Sequence, residues 1–185
     1  MKNHLWINIA ITLLLSCLVF LFGLNKINLI TTDIGRHLTN GRILVEQNTL
    51  VATNHYSYTM TSKLVTNHHW LSGVIFYYVW QLAGWSGLSV FYAALLTIAF
   101  IFFFLIGQSR AGWWPLVFTT VLSLPLIGLR TEIRPEAFSL VFFGLETWLL
   151  LRMMKKKQLK WWLWLVFAIV QILWVNLNLF FFLSW

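Results

Sequence analysis

Apolar and polar residues fall along this chain in long blocks, and the blocks set the expected elements. Residues 5–24 form a predominantly apolar run behind Lys2, close to the twenty or so residues that a helix needs to cross hydrocarbon. No small-residue cleavage site follows it, so it reads as a retained first helix with its N-terminus in the cytoplasm. The long polar stretch 31–70 comes next. Within it, 33–46 fits a short amphipathic helix, with Ile34, Leu38, Ile43 and Leu44 apolar against Arg36, His37, Asn40 and Arg42. Gly35 and Gly41 count against that helix, because glycine weakens helix interiors. Residues 48–63, rich in Thr, Asn and Ser, read as irregular loop.

The apolar run 71–82 is too short to cross a bilayer and is closed by Gly84 and Gly87, so it reads as an interfacial helix anchored by Trp70, Trp80 and Trp85. Residues 88–106 and 113–129 read as spans, the second kinked at Pro125. A polar loop at 130–136 precedes the apolar segment 138–151. Arg152, Lys155, Lys156, Lys157 and Lys160 then form the densest positive cluster. The last apolar run, 161–185, holds Gln171, Asn176 and Asn178, and the chain stops inside it, so a C-terminal remainder of the same protein is expected. The expected fold is an all-α polytopic membrane domain over 1–185, with about five transmembrane helices and an exterior helix-loop-helix insertion, residues 24–84, after the first.

Composition supports this class. A hydrophobic fraction of 59%, a charged fraction of 10% and a mean hydropathy of +0.77 lie far from soluble domains. The net charge of +8 is therefore read as topology before affinity, and nucleic acid is not an expected partner. If the 152–160 cluster faces the cytoplasm, 130–136 lies outside, Arg110 inside and Gly84 outside. That count agrees with Lys2 inside only when 71–82 does not cross. The single cysteine, Cys17, excludes an intrachain disulfide and a cysteine-based zinc site.

Candidate chemistry gathers in the polar stretch. Asp33 and His37, four residues apart, share a helix face. Asp33 suits a general base, and equally suits an N-cap. His37, His68 and His69 could bind substrate or serve as ordinary hydrogen-bonding residues, and Trp70 offers an aromatic face as well as an interfacial anchor. Arg130 and Arg134 could form a bidentate phosphate clamp, unless Glu132 and Glu136 neutralise them locally. Glu146 stands inside an apolar segment, where an acid needs a partner or a role. Gln171, Asn176 and Asn178 suit hydrogen bonds between spans.

Several short motifs occur in a telling order: Asp33 with His37, Leu38 and Gly41; His55-Tyr56-Ser57-Tyr58-Thr59; His68-His69-Trp70-Leu71; Arg134-Pro135; and Trp174-Val175-Asn176. In this order the chain resembles the N-terminal part of bacterial polytopic glycosyltransferases of the C superfamily, which includes protein mannosyltransferases and oligosaccharyltransferases. It departs from the family's string at Tyr56 in place of Phe, at His69 in place of Glu and at Asn178 in place of His. The resemblance implies sugar transfer from a polyprenyl-phosphate-linked donor on the exterior face of the bacterial inner membrane. It implies Asp33 as catalytic base or as ligand of a divalent cation, and His37, His68, His69, Trp70, Arg130 and Arg134 as substrate-binding residues. A non-catalytic membrane subunit, a degenerate relative or a transporter is the rival reading. An inverted repeat would mark a transporter, and none is found.

Overall fold

Long runs of Leu, Ile, Val and Phe cannot leave backbone amides unpaired in hydrocarbon, so they close their hydrogen bonds internally as helices. The computed structural model describes residues 2–24, 33–54, 56–60, 63–129, 132–156 and 160–180. Over them run six helices: α1 Lys2–Gly23, α2 Ile34–Gln47, α3 Trp70–Gln108, α4 Trp113–Gly128, α5 Glu136–Lys156 and α6 Trp161–Leu177. Three of these, α1, α3 and α5, are long and apolar enough to cross a membrane, while α4 and α6 are apolar but shorter. Large apolar side chains point outward, Leu13 at 65% exposed on α1 and Leu126 at 68% on α4 among them. Such a surface belongs against lipid, and the chain is an all-helical integral membrane protein.

The structure follows the sequence reading in some places and departs from it in others. Residues 71–82 lie in the first of two helical stretches that follow one another across a kink and together make up the 39 residues of α3. It is divided at Gly84, whose φ of 63° and ψ of −158° lie where glycine alone is comfortable. The kink thus falls at the expected boundary, and the Trp80 and Trp85 rings meet across it at 5.9 Å. Helix α4 carries Pro125 within it and ends at Gly128, close to the expected 113–129. Helix α5 runs on beyond the apolar segment 138–151, through Arg152 and Lys155 of the positive cluster. Helix α6 ends at Leu177, and Asn178 is extended, with φ −158° and ψ 151°. The loop after α2 is partly ordered by an antiparallel bridge between Thr53 and Leu64, closed by Asn54 N–H to the Lys63 carbonyl and Val65 N–H to the Ala52 carbonyl.

A buried core ties the ends of four helices together. Ile34 and Leu38 of α2 pack on Phe76, Tyr77, Leu88 and Tyr92 of α3, with Ala137 and Phe138 of α5 and Leu177 of α6. The buried stripe of α2 is Ile34, His37, Leu38, Asn40 and Gly41. His37 and Asn40, expected on the polar face, thus turn inward, while Ile43 and Leu44 are only half-buried. The cause is Gly41. A Cβ there would lie 2.2 Å from the Gly73 carbonyl oxygen, and a Cβ on Gly73 would lie 2.8 Å from the His37 carbonyl oxygen. Backbone meets backbone at this crossing, and the glycine that weakens α2 as an isolated helix is what lets it dock.

Candidate functional site

Helical spacing carries the Gly41–Gly73 crossing into chemistry. His37 is one turn before Gly41, and His69, the residue that precedes α3, is one turn before Gly73. Residues four apart share a helix face, so the close crossing brings the two histidine rings together edge to face, with centroids 5.7 Å apart. His37 is buried, with Phe76 edge-on at 6.2 Å. His68 stands beside His69 at 6.2 Å.

These rings form one wall of a pocket of about 260 Å³. The opposite wall is the bridged loop, contributing Thr53, Asn54 and Tyr56, and Arg36 and Asn40 of α2 complete it. The Tyr56 hydroxyl donates to Asn40 Oδ1, tying loop to helix. Asn67 Oδ1 accepts from the His69 backbone N–H at 3.2 Å. The His69 ring also hydrogen-bonds the Leu177 carbonyl at the end of α6, and Trp70 Nε1 donates to Asn176 Oδ1 at 2.8 Å. The end of α6 thus holds the entrance to α3 in place. His69 Nδ1 is buried without a hydrogen-bond partner among the described residues, as is Asn178 Nδ2. A buried orphan at a pocket wall is an atom that a ligand hydroxyl could satisfy.

Burial sets the charge of the pair. His37 is held neutral, its pKa lowered to about 4 chiefly by desolvation, with Arg36 and His69 adding to the effect. His69 is lowered as well, again mainly by burial and against the Leu177 hydrogen bond. At neutral pH the wall therefore offers neutral imidazoles, which can both donate and accept.

The sequence candidates are placed unequally. His37, His68 and His69 come together on the pocket. Asp33 lies just outside it, exposed, with Oδ2 3.2 Å from Arg36 Nη2. It occupies the N-cap position of α2, yet its side chain makes no capping hydrogen bond, so capping by that side chain is not its role. Its carbonyl instead accepts from the His37 N–H. The Trp70 indole is turned toward α6. Arg134 is ion-paired to Glu132, with Glu136 4.0 Å from its other nitrogen, so its charge is neutralised locally. Arg130 lies outside the described residues, as does His55. The polar pocket residues that sequence reasoning missed include Arg36, Asn40, Thr53, Asn54 and Asn67; the signal available was that Arg36 and Asn40 lie in the turn around His37.

Among the described residues no three His, Cys, Asp or Glu side chains converge as metal ligands, and Asp33 faces a guanidinium. This donor set does not by itself fit the divalent cation expected from the resemblance. The remaining polar groups settle structural duties: Tyr77 donates to Glu46 Oε1 at 2.8 Å, Gln171 Nε2 lies 3.4 Å from Glu146 Oε1, and the Arg152 guanidinium stacks 4.4 Å over Trp148. Comparison with known proteins returned no matching family model, no matching curated protein and no matching solved structure.

Proposed function

We propose that this chain is part of a membrane glycosyltransferase that takes a sugar from a polyprenyl-phosphate-linked donor on the exterior face of a bacterial inner membrane. The observation that carries the reading is the small polar pocket of imidazoles, amides and hydroxyls with an Asp33–Arg36 pair at its margin. Neutral His37, His69, Asn40 and Tyr56 suit sugar hydroxyls, which need donors and acceptors and no net charge. Arg36 suits the donor phosphate, because a guanidinium matches its oxygens. In this reading the acceptor hydroxyl attacks the anomeric carbon, the carbon–oxygen bond to phosphate breaks and the electron pair leaves with the phosphate. Asp33 receives the hydroxyl proton, and Arg36 stabilises the developing charge.

The membrane arrangement in this proposal follows from helix length. Helix α3 is too long for one upright crossing, and its Gly84 break separates 70–83, lying at the interface, from 85–108, about 36 Å at 1.5 Å per residue, which crosses. With α1, α4, α5 and α6 that makes about five spans. The N-terminus is then cytoplasmic, and α2 with the bridged loop lies outside.

One observation favours a second reading, a subunit that binds the sugar phosphate without catalysis: Asp33, Glu132 and Glu46 are each engaged by a neighbouring side chain. Purified full-length variants separate the two. Asp33→Asn should keep donor binding and lower transfer from a polyprenyl-phosphate sugar by roughly a hundredfold or more. Unchanged transfer in that variant overturns the catalytic role of Asp33, and binding with no transfer by the native protein supports the subunit. Transfer that survives a chelator assigns the positive charge to Arg36; transfer abolished by the chelator assigns it to a divalent cation.

A further inference from the structure

The far end of α5 carries a second cavity that none of the chemistry above uses. It measures about 280 Å³ and lies between the α3–α4 corner and the last turns of α5, lined by Ser109, Arg110, Leu151, Met154 and Lys155. Two cations from different elements converge on it. Neither forms an ion pair among the described residues. The nearest acids along α5 are Glu146 and Glu136, about 14 Å and about 28 Å away at 1.5 Å per residue. The sequence leaves this end of the molecule positive, and nothing local cancels it.

Its depth is also defined. Roughly 28 Å separates the Glu136 end of α5 from the Lys155 end, close to the ~30 Å thickness of bilayer hydrocarbon. Trp113 and Trp114 follow the same corner at the start of α4, and Trp161 and Trp162 open α6, with Trp114 83% and Trp161 74% exposed. Tryptophans in such positions mark the level of lipid headgroups. The cavity wall is divided to match: guanidinium and ammonium on one side, Leu151 and Met154 on the other.

We propose that Arg110 and Lys155 hold the phosphate of an anionic phospholipid of the surrounding bilayer, with the start of an acyl chain lying against Leu151 and Met154. Arg110 offers a fork to two phosphate oxygens and Lys155 a point charge. The shared chemistry is a phosphate anion; the apolar half of the wall selects the lipid over a soluble phosphate. The site is independent of the glycosyltransferase reading, because it uses no residue of the histidine pocket.

The test is native mass spectrometry of the full chain released from phosphatidylcholine vesicles containing a minor fraction of phosphatidylglycerol. Retention of one phosphatidylglycerol in preference to phosphatidylcholine is expected. Lys155→Gln and Arg110→Gln should each weaken retention about fivefold, and the pair about thirtyfold, from a contribution near 1 kcal/mol per cation. Arg152→Gln removes a charge on the same turn that stacks on Trp148 outside the cavity, and should leave retention unchanged. Equal retention of the two lipids, or equal loss in Arg152→Gln and Lys155→Gln, overturns the proposal. Release of the lipid by millimolar inorganic phosphate would assign the site to a soluble anion and overturn it as well. Lys155 is exposed at a helix end, so its single variant keeps the test open should Arg110→Gln fail to fold.

Discussion

The two ends of α5 hold similar charges in opposite states. At the Glu136 end, Arg134 is paired with Glu132, Arg36 with Asp33, and burial lowers the pKa of His37 and His69. At the Lys155 end, Arg110 and Lys155 face a shared cavity without a carboxylate. The first end is a neutral, hydrogen-bonding pocket built by close packing; the second is a net positive patch built by sequence composition. A pocket of the first kind selects by shape and is sensitive to packing. One of the second kind selects by charge, tolerates substitution and responds to salt.

The largest effect expected to break this contrast is at Gly41. Gly41→Val places a Cβ 2.2 Å from the Gly73 carbonyl, so the backbones must separate. That should cost about 3 kcal/mol or more and scatter the histidine pair. Thermal unfolding in detergent, together with donor-sugar binding, should report both losses. Gly35→Ala is the matched control: nothing lies within 4 Å of its Cβ, so it should be neutral or stabilising by up to about 1 kcal/mol through helix propensity.

Next is acid. His37 has a folded pKa near 4 against 6.5 for the free side chain, so between those values the unfolded chain binds the proton and the folded chain does not. Stability should therefore be fully present above about pH 6.5 and fall by about 3 kcal/mol as pH drops toward 4. His37→Gln should flatten that dependence, and a profile that stays as steep would place the titrating group elsewhere. Lipid retention at the Lys155 end, where neither a histidine nor a carboxylate lines the cavity, should stay level.

Tyr56→Phe removes the hydroxyl that donates to Asn40. A loss of about 1 kcal/mol is expected, with looser closure of the bridged loop, read by hydrogen exchange at Val65 and Asn54. The smallest effect is at Arg134. Its partners are partly exposed, so Arg134→Gln should change stability by no more than about 1 kcal/mol. A large loss of donor binding in that variant would instead restore the phosphate-clamp role.

Much of the architecture is legible in one dimension, because a membrane constrains each run by itself. An apolar run of twenty residues has to be a helix wherever it sits, which is why α1 and the start of α6 fall where the pattern places them. Gly84 announces its break for a similarly local reason. The polar stretch is different. Composition puts His37 on the solvent side of α2 and counts Gly41 as a weakness, and both readings reverse once Gly73 arrives from another helix. Close backbone approach depends on two glycines 32 positions apart, and no periodicity within either helix encodes their meeting. Arg134 shows the same limit in electrostatic form: its charge is plain in the sequence, but whether it faces a ligand or Glu132 depends on rotamers and neighbours. The sequence by itself determined the class of protein, the helices and the positive end, since hydropathy and charge act residue by residue. Only the tertiary structure decided which polar groups meet, because burial, pairing and pKa belong to the contact between segments and to neither segment alone.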